Sequence, residues 1–103
     1  MPWSRLEGFT TEAGLLDFAA MEFTLSKHAA DVIRERGIRT DWLDETLSRP
    51  ALSEPDMEDP NLTHVLLPIA DFDNRVLRVV YNHTKQPIHV VTVYFDRAMK
   101  GKL

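Results

Sequence analysis

Residues Asn74 to Arg97 constrain the fold most strongly, because they read as two β-strands joined by a short polar loop. β-Branched and aromatic residues dominate both runs, Asn74–Asn82 and Ile88–Arg97, and the loop His83–Pro87 ends in proline. This arrangement is typical of a β-hairpin. The hairpin also holds the densest apolar block of the chain, so we expect the core to be built on it.

If the loop pairs Asn82 with Ile88, the side chains of the hairpin alternate between two faces. The first face is mostly apolar and should lie under helices; it carries Leu77, Val79, Tyr81, Val91, Val93 and Phe95, with Arg75 and His89 towards its ends. The second face is mixed and carries Val76, Arg78, Val80, Asn82, Ile88, Val90, Thr92 and Tyr94. In this register Arg78 lies opposite Thr92, and a slip of one residue would exchange the faces of one strand.

The remaining chain predicts two well-marked helices and a further strand. Ser26 is a good N-cap and Gly37 a good C-terminal stop for a helix over Lys27–Arg36. Thr40 can cap a second helix, Asp41–Arg49, which Pro50 ends. The remaining predictions are a short helix capped by Thr10 or Thr11, a strand or helix approach at Glu22–Leu25, an acidic loop at Ala51–Pro60, a strand at Leu62–Ile69, a turn at Asp71–Asn74 and a short basic tail at Ala98–Leu103.

These elements predict an α+β fold, with two or three N-terminal helices packed on one face of a three- or four-stranded antiparallel sheet. Residues 1–20 are interpreted as an N-terminal extension and residues 21–103 as one domain, which a chain of 103 residues can supply with a single core. No apolar run approaches the length of a membrane span, and no secretory signal is visible. The absence of cysteine excludes disulfides, so we expect a cytoplasmic protein.

Charge is unevenly distributed along the chain, whose net charge is −4. Residues 40–60 hold seven acids and one base, whereas residues 61–103 hold six bases and three acids. Such asymmetry can place a basic patch on an acidic protein. The overall acidity still counts against generic nucleic-acid binding, for which a basic domain is expected.

Two features of the pattern have both a structural and a chemical interpretation. His28 follows the helix cap and is either packed beside the sheet or a general acid or base. Arg78 lies among valines in a strand, so it needs either an acidic partner or a phosphate-like ligand. Thr92 and Tyr94 share the predicted face of Arg78, although each alone is an ordinary strand residue. No motif or histidine spacing predicts a metal site or a cofactor.

Several short segments follow one another in the order and spacing of a known pattern. They are Leu25–Ala29, Arg34–Ile38, Pro50, Leu77–Tyr81 and Val91–Arg97. Their motifs read as an S-x-H-A helix start, an R-x-R-G-I helix end, an R-V-V strand and a T-V-Y/F last strand. On these motifs the chain resembles the bacterial domain-of-unknown-function 4258 family, over roughly Met21 to Lys100.

That family is similar in size and element order to RelE-type and BrnT-type toxins of bacterial toxin–antitoxin pairs, which are metal-independent ribonucleases. The resemblance therefore implies an RNA-cleaving or RNA-binding domain whose partners are RNA, an antitoxin-like protein or a second copy of the chain. The residues that it implies are His28, Arg36, Arg78 and Thr92 for catalysis, with Tyr94 and Arg34 for substrate binding. The acidic net charge departs from this pattern.

The alternative is a non-catalytic interaction domain that self-associates or binds a partner through its sheet. A hairpin that is apolar on both faces needs more cover than two short helices supply. The acidic segment Ala51–Pro60 is consistent with this alternative, because it would repel RNA unless it points away from the site.

Overall fold

The structure, a computed structural model, describes residues 22–103. The predicted extension 1–20, with its short helix, lies outside the described residues. The elements in chain order are β1 (Phe23–Leu25), α1 (Lys27–Arg36), α2 (Thr40–Ser48), β2 (Leu52–Pro55), β3 (Leu62–Ile69), the 3₁₀ turn η1 (Ala70–Phe72), β4 (Arg75–Asn82), β5 (Ile88–Phe95) and the 3₁₀ turn η2 (Arg97–Met99).

The α+β class is confirmed, but the sheet is larger and more varied than predicted. Within residues 22–103 it has five strands in the order β1-β5-β4-β3-β2. β1 runs parallel to β5, and the other neighbouring strands are antiparallel. The prediction of a three- or four-stranded antiparallel sheet was therefore wrong.

Both additional strands depend on long-range pairing. β1 spans only three residues and joins the last strand of the sheet, with Phe23 opposite Ile88 and Leu25 opposite Val90. β2 lies in the segment predicted as an acidic loop, where Leu52 pairs with Leu66 of β3. Backbone hydrogen bonds to an available strand edge hold such segments, whatever their own composition.

Local signals positioned the first helix correctly. The Ser26 hydroxyl accepts a hydrogen bond from the Ala29 N–H at 3.0 Å, and Gly37 adopts a left-handed conformation with φ of 65°. The second helix differs slightly, since it begins at Thr40 and its N-cap is Arg39, whose side chain makes no capping hydrogen bond. It ends at Ser48, one residue before the predicted end.

The core lies between the two helices and one face of the sheet. Leu77 and Val79 of β4 and Val93 of β5 are fully buried there. All three belong to the first hairpin face, which was predicted to lie under the helices. Ala29 of α1 and Leu43 of α2 cover them from the helix side. None of the described helices is long and apolar enough to cross a membrane.

The predicted hairpin register was wrong. Asn82 pairs with His89 instead of Ile88, and Arg78 lies opposite Tyr94 instead of Thr92. The register shifts between Val80 and Tyr81, because β5 contains one residue more than β4 at this point.

The shift turns the Ile88 and Val90 side chains towards the helices, whereas they were predicted on the second face. Because residues directly opposite each other share a face, Arg78 and Tyr94 still lie on the same side of the sheet.

Candidate functional site

A groove of about 1050 Å³ opens between α1 and the far end of β5. α1 supplies His28 and Arg36 to its lining, and β5 supplies Thr92 and Tyr94. The two 3₁₀ turns and the start of β4 complete the groove with Phe72, Arg75, Arg97 and Lys100. β1 pairs with β5 only as far as Val90, so the rest of this sheet edge faces the helix.

The start of α1 is tied directly to β5, and this brings His28 to Thr92. The Ser26 N–H donates to the Val90 carbonyl at 2.9 Å, and the Ser26 hydroxyl donates to the Val91 carbonyl at 2.9 Å. His28 lies two residues further on, where its Nε2 and the Thr92 Oγ1 are 3.2 Å apart and share a hydrogen bond. The imidazole is exposed, so it can reach a bound molecule while Thr92 holds its orientation.

Cationic side chains line the same groove as this imidazole. Four bases and two acids line the groove, although the chain as a whole is acidic. Arg36, Arg75 and Arg97 are exposed, and none has a carboxylate partner among residues 22–103. The fourth base, Lys100, pairs with Asp73 at 2.9 Å. Unpaired guanidinium groups around an open groove are suited to bind phosphate oxygens.

Aromatic rings form a second component of the groove. Tyr94, which is 43% exposed, and Phe72 both line the groove. The Cζ atom of Arg75 lies 4.6 Å from the centre of the Phe72 ring, which places the guanidinium over that ring. The ring of Trp42 stacks against Phe72 with centroids 5.3 Å apart. The groove therefore offers stacking surfaces as well as positive charge.

Arg78 does not line the groove, and its guanidinium contacts two carboxylates and an imidazole. Its Nε and Nη2 both donate to Oδ2 of Asp96, at 2.9 and 2.8 Å. Its Nη1 donates to Nδ1 of His64 at 2.8 Å and lies 3.4 Å from Oε2 of Glu54. The Arg78 side chain is only 12% exposed. Burial acts to lower the pKa of this guanidinium, but its hydrogen bond and charge interactions with Asp96 raise the pKa overall.

The tautomer of His64 follows from this contact. A guanidinium can only donate, so Nδ1 of His64 must accept from Arg78. Nε2 then carries the proton and donates to Oδ1 of Asp56 at 2.6 Å. This hydrogen bond, together with the backbone N–H groups of Asp59 and Glu58, lowers the pKa of Asp56 from 3.8 to about 2. Asp56, His64, Arg78, Asp96 and Glu54 form what we call the Arg78 network.

The remaining predicted residue, Arg34, also lies outside the groove lining. Its side chain is 70% exposed and donates to Oδ1 of Asp31 at 2.8 Å. Lys27 donates to the other oxygen of Asp31 at 3.0 Å, and the two cations lower the pKa of this carboxylate. Arg34 is thus committed to an ion pair on the surface of α1.

The structure therefore divides the predicted site. His28, Arg36, Thr92 and Tyr94 line the groove, whereas Arg34 and Arg78 do not. Asp96, the partner of Arg78, does line it. Sequence reasoning missed Arg75, Arg97 and Phe72 as groove residues. The excess of bases after residue 60 was a signal for Arg75 and Arg97 only, and nothing indicated Phe72. Phe72 and Arg97 lie in the two 3₁₀ turns, and Arg75 begins β4. In the described part of the chain, no group of three or more His, Asp or Glu side chains is placed to hold a metal ion.

The fold and the groove define a small α+β protein with a cationic groove at one edge of its sheet. A protein-family model described as "Domain of unknown function (DUF4258)" matches residues 25–95, and the chain belongs to this family. The match begins at the strand that leads into α1 and ends with β5. A search of curated proteins and a search of solved structures found no match.

Proposed function

We propose that the protein binds RNA in the groove and cleaves it without a metal ion, as a toxin-like endoribonuclease. The observation that carries this proposal is that an exposed, oriented imidazole shares its groove with arginines that form no ion pair within residues 22–103. An imidazole titrates near neutral pH and can move a proton at a ribose hydroxyl. Guanidinium groups can stabilise the charge that develops on phosphate oxygens.

The reaction would use the 2′-hydroxyl of RNA as the nucleophile. His28 accepts the proton of this hydroxyl, and the 2′ oxygen forms a bond to the adjacent phosphorus while the bond from phosphorus to the 5′ oxygen breaks. The 5′ oxygen takes a proton from solvent. The products are a 2′,3′-cyclic phosphate and a 5′-hydroxyl end, and Arg36 and Arg97 would bind the phosphate oxygens during the transfer.

Thr92 and Tyr94 have supporting roles in this proposal. The hydrogen bond of Thr92 to His28 fixes the orientation of the imidazole. The exposed ring of Tyr94 provides a surface on which a base can stack. The Arg78 network takes no part in the chemistry, since its charges are already paired.

The toxin-like reading also draws on the resemblance to RelE-type and BrnT-type proteins. In a toxin–antitoxin pair, a partner protein covers the site until the toxin is released. Acidic side chains on such an antitoxin-like partner would complement Arg36, Arg75 and Arg97. The same charges therefore support both RNA and an inhibitory partner as ligands of the groove.

The test is cleavage of a labelled RNA of mixed sequence by the purified full chain, in the presence of EDTA. We expect fragments that end in 2′,3′-cyclic phosphate. A His28→Gln variant should cleave about 100-fold more slowly, the contribution that a positioned general base makes. His83→Gln is the matched control, because His83 is exposed outside the groove and its Nε2 contacts the Pro60 carbonyl.

Three results would contradict the proposal. Intact RNA at high protein concentration would favour the non-catalytic interaction domain instead. Equal loss of cleavage in His28→Gln and His83→Gln would show that His28 has no special role. Loss of all cleavage on addition of EDTA would show that the reaction needs a metal ion.

A further inference from the structure

An aromatic stack supports the Arg75 side chain beside the groove. The guanidinium lies over the Phe72 ring at 4.6 Å, and the Trp42 ring stacks on Phe72 with an angle of 22° between the two planes. Phe95 contacts the same ring with a centroid distance of 5.1 Å. The Phe72 ring is therefore held by two other aromatic side chains, and it gives Arg75 a rigid support.

Arg75 is exposed and forms no ion pair within residues 22–103. The nearby Asp73 is bonded to Lys100, which with a weaker contribution from Arg75 lowers the pKa of that carboxylate. Arg75 stays exposed while it lies over the ring, so part of its planar guanidinium is open to another molecule. Arg75 lines the groove, and this exposed part is where a bound molecule can stack. Planar cations of this kind stack on nucleic-acid bases.

We infer that Arg75 provides a stacking site for one unpaired base, which we call the base seat, and that the groove binds single-stranded RNA rather than duplex RNA. The inference rests on the proposed function and names its substrate class. In a duplex the bases are already stacked on one another, so they cannot reach a protein surface. Tyr94, which is 43% exposed on the same groove, offers a second stacking surface for a neighbouring base.

The test measures binding of fluorescein-labelled RNA by the full chain at several salt concentrations. A 12-nucleotide 2′-O-methyl strand is used, because it lacks the hydroxyl that the proposed cleavage needs. We expect the single strand to bind at least about fivefold more tightly than the same strand in a duplex. In a series of strands with one abasic site each, at least one position should weaken binding by about fivefold or more.

Arg75→Lys identifies the seat, because it keeps the charge and removes the planar group. This variant should bind the single strand about fivefold more weakly, with an unchanged dependence on salt. The abasic site that weakens binding to the original protein should have no further effect on Arg75→Lys. Arg49→Lys is the control, because Arg49 lies outside the groove and pairs with Glu45.

The outcomes distinguish failure of the base seat from failure of the proposed function. If single strand and duplex bind equally, or if abasic sites act equally on the original protein and on Arg75→Lys, the base seat is wrong while RNA binding stands. If no RNA binds, the proposed function and the base seat are both wrong. Phe72→Leu provides a second check, since loss of the supporting ring should also weaken single-strand binding.

Discussion

The groove and the Arg78 network use the same kind of side chain for different purposes. In the network, the Arg78 guanidinium is 12% exposed and meets two carboxylates and a histidine. In the groove, Arg36 and Arg97 are exposed and have no carboxylate partner among the described residues. The partners of an arginine, and not its presence in a strand, therefore indicate whether it can bind a ligand.

We expect the largest difference between the Arg78 network and the groove in their contributions to the free energy of unfolding. Arg78→Met should lower the free energy of unfolding by about 3 kcal/mol, because it leaves the Asp96 and Glu54 carboxylates without their cation. Arg36→Met should change it by less than about 0.5 kcal/mol, since Arg36 is exposed. Urea denaturation of the two variants measures both values. Equal changes in the two variants would contradict the distinction between the regions.

A smaller effect concerns pH and again separates the network from the groove. The pKa of Asp56 falls from 3.8 to about 2 in the folded protein, chiefly through the hydrogen bond from His64. A carboxyl group whose pKa is lowered by folding stabilises the fold fully at pH values above its pKa in the unfolded chain. This contribution is lost as pH falls from about 4 to about 2. The stability difference between the original protein and Asp56→Asn should therefore shrink across that range.

His64→Gln is the matched background for this experiment. Without the imidazole, the chief cause of the lowered Asp56 pKa is gone and only backbone N–H donors remain. The difference caused by Asp56→Asn should then depend less on pH. Urea titrations between pH 2 and about 6 measure it, and identical curves in the two backgrounds would show that His64 does not hold this carboxylate.

The parts of the fold that sequence predicted well depend on neighbouring residues. Ser26 and Gly37 define α1 because their caps act within a few residues of the chain. β1 pairs with residues of β5 that lie more than 60 positions further along the chain, and the extra residue of β5 depends on packing. Local sequence patterns could therefore show neither feature. The missed strand at Leu52 likewise depends on the edge of β3.

The candidate site could be predicted only in part, because local sequence signals place only some of its residues. His28 and Arg36 were placed on α1 by its caps, and they lie in the groove. For Arg78 the sequence indicated a partner or a ligand, but the predicted register did not place it near Asp96, which lies two residues after Tyr94 and just beyond the end of β5. Arg97 contributes to the groove through a 3₁₀ turn whose start Asp96 caps, a contact that a strand pattern does not reveal.

RNA binding by two double variants tests whether the arginines of the groove hold the RNA. Arg36→Gln with Arg97→Gln removes two unpaired groove cations, whereas Arg34→Gln with Arg49→Gln removes two cations that are in ion pairs outside it. Both change the net charge equally. We predict that the groove variant binds single-stranded RNA about 30-fold more weakly. The slope of its log affinity against log salt concentration should be smaller by about 1.4, because two phosphate contacts are lost. The control should bind within about twofold of the original protein, and equal losses in the two variants would contradict the account.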